Sequence, residues 1–229
     1  MPIEIGFFHD RLKSVRRYQT QRLNIVEGML GNKVVVVATS GLGRDRGRRA
    51  AEIVLAGHRP SWLISAGFAG ALDLSLQRND LILADEVVDL EGRRFAIDVK
   101  LDAASGRVRA GRVLTVDAIA RTAEEKAELA RRSSAQAVDM ETIALAELCA
   151  ERAQRFVSVR VISDDAAADL PPEIASLTTR SGSYQIGAAL RALWNRPAAI
   201  KDFWRLHAQS QAAAETLAGF LAGMIERLG

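Results

Sequence analysis

Two hydrophobic rhythms alternate along the chain. Short apolar runs bounded by glycine or proline are followed by segments in which apolar residues recur every three or four positions. These are the signatures of buried strands and of helices packed on them. Asn24 to Leu30 and Lys33 to Thr39 read as two strands around a tight Gly31-Asn32 turn, a hairpin signal. Val34 to Val37 is continuously apolar, as expected of a strand covered on both faces. The segment from Gly41 to Gly47 leads into a helix reaching about Gly57, with Ala50, Ala51, Val54 and Leu55 at helical spacing. Trp62 to Ala66 is the next buried strand and runs into Gly67-Phe-Ala-Gly70. Further strands are predicted over Asp80–Val88, Arg94–Lys100 (half-exposed), Arg112–Val116 and Phe156–Ser163, and helices over residues 3–17, Ala123–Arg132 and Met140–Arg152. From Pro197 a long helix is expected, with Ile200, Phe203, Trp204, His207, Ala214, Leu217, Leu221 and Leu228 on one face for core packing. Alternating strands and helices with apolar strands predict an α/β fold, a mostly parallel sheet with helices on both faces. No linker, repeat or low-complexity tract divides the chain, so one domain over 1–229 is expected.

Composition narrows the function. The 229 residues suffice for a sizeable core, and the net charge is only +3. The run Arg44 to Arg49 mixes signs and reads as a solvated helix face or, failing that, an anion contact. No aromatic residues interleave the arginines, which argues against nucleic acid as a partner. Cys149 is the single cysteine, so no intramolecular disulfide forms, and its apolar helix makes it a core residue. His9, His58 and His207 are scattered without metal-ligand spacing, so no metal is expected. With no secretory signal and no apolar run long enough to span a bilayer, the expectation is a cytoplasmic protein without a membrane span.

Candidate chemistry lies in two segments. In Ala137-Val-Asp-Met-Glu-Thr142 an acidic residue opens a helix, and Phe156 to Asp165 is an apolar strand that ends in two carboxylates. Carboxylates at the carboxyl end of a buried parallel strand lie where open α/β sheets hold ligands, which makes Glu141 and Asp164 site candidates. Gly41, Gly43 and Gly47 resemble a dinucleotide fingerprint with one residue too many, and no acidic residue follows at the end of a second strand. A tight strand-to-helix turn is the plainer reading, although its backbone N–H groups suit an anion. Ser65 to Gly70 is a second glycine-rich strand end, where either structure or close approach of a ligand accounts for the glycines. No Gly-x-Ser-x-Gly elbow is present, against the usual α/β serine hydrolase.

Taken in order, Ser40-Gly-Leu-Gly43, Ser65 to Gly70, Asp80 to Glu86, Val138-Asp-Met-Glu141 and Val159 to Asp164 resemble the nucleoside phosphorylase and nucleosidase superfamily, in the style of methylthioadenosine/S-adenosylhomocysteine nucleosidases. More loosely, Leu170-Pro-Pro172 and Arg196-Pro197 before the last helix resemble hopanoid-associated phosphorylases. The resemblance implies a three-layer sandwich with a mixed, mostly parallel central sheet flanked by helices, and cleavage of the N-glycosidic bond of an adenine-type, 5′-substituted nucleoside. In that chemistry Asp164 protonates the purine, with burial or Asp165 tuning it, and Ser163 orients Asp164. Glu141 holds the ribose hydroxyls and Met140 packs on the sugar. Gly67, Phe68 and Ile119 join the pocket, where Phe68 gives an apolar wall suited to a hydrophobic 5′ substituent. Met1-Pro-Ile-Glu4 matches the pattern carrying the family's water-activating glutamate, so Glu4 is the candidate base.

The strand expected before Glu4 is missing, and the expectation is a start upstream of Met1. The Gly-Asp-Pro-x-Arg phosphate loop is absent, leaving Arg44 and Gly43 as candidate phosphate or anion contacts. Hydrolysis without a cofactor is therefore favoured, with phosphate as a possible co-substrate. Phosphorolysis of the hopanoid-associated type and a non-catalytic nucleoside-binding or scaffold protein are the alternatives. A homodimer or higher homo-oligomer is expected, with Phe7 and Phe8 read as exposed interface residues.

Overall fold

The computed structural model describes residues 2–19, 23–98, 107–170 and 197–228. In chain order they form α1 (Pro2–His9), β1 (Lys13–Gln19), β2 (Asn24–Leu30), β3 (Lys33–Thr39), α2 (Arg44–His58), β4 (Trp62–Ala71), β5 (Leu81–Val88), β6 (Arg94–Ala96), β7 (Val108–Thr115), α3 (Ala123–Ser133), β8 (Ala137–Asp139), α4 (Thr142–Glu151), β9 (Arg155–Asp164) and α5 (Pro197–Arg227).

The predicted hairpin is present. β2 and β3 pair antiparallel from Asn24 with Thr39 to Leu30 with Lys33. Gly31 takes φ 57°, the left-handed backbone this turn needs. β1 adds antiparallel to β2, so the helix expected over residues 3–17 ends at His9. Lys13–Gln19 is exposed throughout and is held by its backbone ladder rather than by a buried face. Among the described residues β3 pairs only with β2. Its apolar run is accordingly half-buried rather than covered on both faces, and Val34 is 65% exposed.

The second sheet corrects the expected sandwich. Its order is β6-β5-β7-β8-β4-β9, and β5 pairs with β9 as well, so five strands close on themselves with β6 outside on β5. β4–β9, β5–β7 and β7–β8 are parallel, whereas β4–β8, β5–β9 and β5–β6 are antiparallel. The sheet is thus mixed and barrel-like, not a flat, mostly parallel layer. Two bulges interrupt these ladders: Asp85 is the extra residue in β5 between Ala84 and Glu86, and Ser163 the extra residue in β9 opposite Ala69/Gly70 of β4. Such bulges bend a strand and increase its twist. The first part of β5, Leu81–Leu83, meets β9, and its last part, Glu86–Val88, meets β6.

β9 is buried on both faces. Val157, Val159 and Val161 pack with Leu81, Leu83 and the α5 residues Leu217, Leu221 and Met224. Ile162 joins a second cluster to which β4, β5, β7 and β8 contribute Ala69, Ile82, Val113 and Ala137, and α4 adds Ile143. The predicted stripe on the last helix is buried at Ala214, Leu217, Leu221 and Leu228; the side chains of Ile200 to His207 lie outside the described set. α1 packs along α5. Phe8 is only 3% exposed and Phe7 packs against the same core, so these residues stabilise the α1–α5 contact rather than present an open surface. Among the described residues no helix is long and apolar enough to cross a membrane.

Candidate active site

The strand register brings the two candidate carboxylates to either side of one strand end. Gly70 of β4 is the register partner of Asp164 on β9 and of Val138 on β8, the strand that leads into Met140 and Glu141. A Cβ on Gly70 would stand 3.1 Å from Asp164 Oδ2 and 3.4 Å from Val138, so glycine leaves the room that the carboxyl group occupies. The Asp164 carboxyl is largely buried and its two oxygens have different neighbours. Ser163 Oγ donates to Oδ1 at 2.7 Å. Lys126 Nζ stands 2.6 Å from Oδ2 at ion-pair distance, off the line of a hydrogen bond. The hydrogen bonds of that ammonium go to the backbone carbonyls of Asp165 and Ala168. The Asp165 carboxylate is engaged by Arg78, whose Nε lies 3.1 Å away and whose backbone N–H donates to it.

The β8–α4 turn is built around a buried polar hub. Asp139 accepts hydrogen bonds from Thr115 Oγ1 at 2.7 Å and Arg160 Nε at 2.8 Å, and also from the Thr142 hydroxyl and the Thr142 N–H. Arg160, 2% exposed, donates further to Ser65 Oγ and to Thr142 Oγ1. Thr115 Oγ1 in turn accepts from Ile143 N–H. β4, β7, β8, β9 and the start of α4 are thereby tied to one carboxylate. Its effect is to fix the backbone on both sides of Met140-Glu141.

Glu141 is further held by the first glycine-rich turn. Gly43 N–H donates to Glu141 Oε1 at 2.7 Å. Gly43 has φ 97°, and a Cβ on Gly47 would come within 2.8 Å of Leu145 and 3.5 Å of Glu141 Cβ. The glycines therefore let α2 lie against the start of α4 and turn a free N–H onto Glu141. Arg44, the candidate anion contact, is surrounded by protein acceptors. Its guanidinium reaches Asp117 at 2.8 Å, Asp89 at 3.5 Å, Glu91 at 3.6 Å and the Thr115 carbonyl at 3.1 Å. Burial pushes the Asp89 carboxyl up. Hydrogen bonds from the backbone and guanidinium of Arg93, with its charge, outweigh that and hold the group below its ordinary value.

The other candidates are distributed as follows. Phe68 and Gly67 point to opposite faces of β4: Phe68 packs with the α5 core, and the Gly67 position faces Arg160. Ile119 is half-buried in the segment between β7 and α3. Glu4 lies on α1, against α5, and its side chain is outside the described set. Cys149 is buried, and burial pushes its thiol up to about 12. Among the described residues no group of histidine, cysteine and carboxylate side chains is arranged to hold a metal ion. Sequence reasoning missed Lys126, Asp139, Thr115, Ser65 and Arg160. Ser65 and Asp139 lie within motifs read from the sequence, and Arg160 is a charge inside a mostly apolar strand; Lys126 and Thr115 carried no local signal.

The profile of the phosphorylase superfamily matches residues 1–226. A 5′-methylthioadenosine/S-adenosylhomocysteine nucleosidase of Baumannia cicadellinicola is 29% identical over 189 residues, 72% of this chain and 82% of that protein. The crystal structure of the Neisseria meningitidis 5′-methylthioadenosine/S-adenosylhomocysteine nucleosidase with methylthio-immucillin-A superposes with a TM-score of 0.78 at 23% identity, covering all of this chain and 96% of that one. The futalosine hydrolase of Helicobacter pylori superposes with a TM-score of 0.76 at 19% identity, covering all of this chain and 95% of that one.

Proposed function

The chain belongs to the phosphorylase superfamily and is an enzyme that acts on nucleosides, and from this premise we propose that it hydrolyses the N-glycosidic bond of an adenine-type nucleoside with a 5′ substituent. The observation that carries the reading is the pairing across Gly70: Asp164 ends β9 on one side, and Met140-Glu141 follows β8 on the other. In this reading the bond between C1′ and N9 breaks towards an oxocarbenium-like transition state. Asp164, oriented by Ser163, gives the departing purine a proton, so that its electron pair is not left as a bare anion. Glu141, steadied by Gly43, accepts the ribose hydroxyls, and Met140 packs on the sugar. Gly67 and Ile119 contribute to the pocket, Phe68 backs β4 from the α5 side, and Glu4 activates the water that attacks C1′.

Water rather than phosphate is supported by the first turn. The two groups that the sequence offers to an anion are already bonded within the protein: Gly43 N–H to Glu141, and Arg44 to Asp117, Asp89 and Glu91. A phosphate would have to displace three carboxylates from one guanidinium. The similarity to 5′-methylthioadenosine/S-adenosylhomocysteine nucleosidases supports adenine as the base. The test is adenine release from 5′-methylthioadenosine with and without inorganic phosphate. Equal release in both supports hydrolysis, strict phosphate dependence identifies a phosphorylase, and binding without turnover identifies a non-catalytic protein. Glu4→Gln is expected to lower kcat by at least about 100-fold as loss of a general base. Wild-type rates would remove Glu4 from the reaction.

A further inference from the structure

Lys126 is a buried charge that the reaction just described leaves unused. It lies in the first turns of α3 and is 0% exposed. A cation gains nothing from the amino end of a helix, and an ammonium taken out of water is costly without a counter-charge. Its surroundings show what it is for. Two of its contacts, the carbonyls of Asp165 and Ala168 at 2.8 and 2.9 Å, call only for an N–H donor and tie the segment after β9 to α3. That tie is also made without it: Ala123 N–H donates to Asp169, and Leu170 N–H to the Arg121 carbonyl. Only the third contact, Asp164 Oδ2 at 2.6 Å, calls for a charge. Nearby carboxylates have other partners. Asp165 is engaged by Arg78, and Glu125 accepts the N–H groups of Arg121 and Thr122 in the α3 capping box.

We propose that Lys126 is a positioning residue for N-glycosidic cleavage, holding the Asp164 carboxyl group beside Gly70 and exchanging with it the proton that Asp164 hands to the purine. This rests on the reading of Asp164 as the general acid. The pair holds one transferable proton. At rest that proton is on Lys126, as ammonium beside carboxylate. As the C1′–N9 electron pair moves onto the purine, the proton passes from Nζ to the Asp164 carboxyl group and on to a ring nitrogen, leaving Asp164 a carboxylate and Lys126 a neutral amine. Water adds its oxygen to C1′, and the proton it loses restores the pair. The sum is nucleoside plus water giving sugar plus base.

The experiment compares two leaving groups on one sugar: adenine in 5′-methylthioadenosine, and p-nitrophenolate in the corresponding 5-methylthio-β-riboside, which departs without a proton. Lys126→Gln keeps N–H groups for the two carbonyls but removes the transferable proton. It is expected to lower kcat for 5′-methylthioadenosine by about 100-fold and for the nitrophenyl riboside by no more than about threefold. Lys126→Arg, whose guanidinium keeps the charge but does not release a proton, is expected to show the same split. If one variant does not fold, the other decides. Equal losses on the two substrates, an unchanged rate, or failure of both variants to fold would assign Lys126 to structure alone and overturn the proposal. Absence of adenine release by the wild-type protein would instead contradict the reading of the site on which it rests.

Discussion

Asp164 meets a hydroxyl at one carboxyl oxygen and an ammonium near the other, and that asymmetry separates two effects of removing it. Asp164→Asn is expected to lower kcat for adenine release by at least about 100-fold, as loss of a general acid does. It also leaves Lys126 buried without a counter-charge, so chemical denaturation should show a stability loss of roughly 3 kcal/mol. The double variant Asp164→Asn/Lys126→Met should recover much of that stability and none of the activity. Recovery of neither would mean that the ion pair is not what the first substitution broke. Gly70→Ala tests the space instead. Its Cβ would press on Asp164 Oδ2 at 3.1 Å, and a displaced acid should cost roughly tenfold in kcat with KM little changed. Cys149, its thiol pushed up by burial, should resist iodoacetamide in the native protein at about pH 8 and react once unfolded in urea.

Among the elements, β8 is one of the shortest and yet positions the most. Three residues long, it carries Asp139, on which β7, β9 and α4 converge, with β4 joined through Ser65 on Arg160. Arg160→Met removes the cation and leaves the Asp139 carboxylate buried with hydroxyl and backbone donors alone. A loss of about 3–5 kcal/mol in urea denaturation is expected, and below about 1 kcal/mol the hub would not be structural. These elements were unequally legible in the sequence. The β2–β3 hairpin and β9 could be read because a Gly-Asn turn and a mainly apolar run are local signals. β1 could not, because Lys13–Gln19 buries no face and owes its conformation to hydrogen bonds with β2. Barrel closure was equally hidden: nothing in Leu81–Leu83 tells that it pairs with β9 as well as β7. Glu141 and Asp164 were legible as carboxylates at element ends. Lys126 was not, since in a helix of mixed charges it looks like any solvated lysine, and its burial follows from where the segment after β9 lies.

At the scale of the molecule, acid stability follows from carboxylates held below their ordinary values. Asp89 is the instructive one, its side chain fully buried against Arg93 and Arg44. A native value below the unfolded one means that the contribution is complete above the unfolded value and is lost as pH falls through the native one. Asp73, held low by hydrogen bonds from Ser75, has the same sign. The urea midpoint of the wild type should therefore fall steeply below about pH 4, and that of Asp89→Asn should be lower at neutral pH and change less across this window. The same carboxylate helps to occupy Arg44, so on the proposed hydrolytic reading the charge arrangement that stabilises the fold would also withhold this cation from phosphate. On that reading the choice of nucleophile depends on α2, the β5–β6 turn and the β7–α3 segment together. The most direct measurement is the rate of adenine release from 5′-methylthioadenosine in phosphate-free buffer, repeated with saturating inorganic phosphate. The expected result is the same rate in both and free 5-methylthioribose as the sugar product. Release that requires phosphate and yields the sugar 1-phosphate would contradict it.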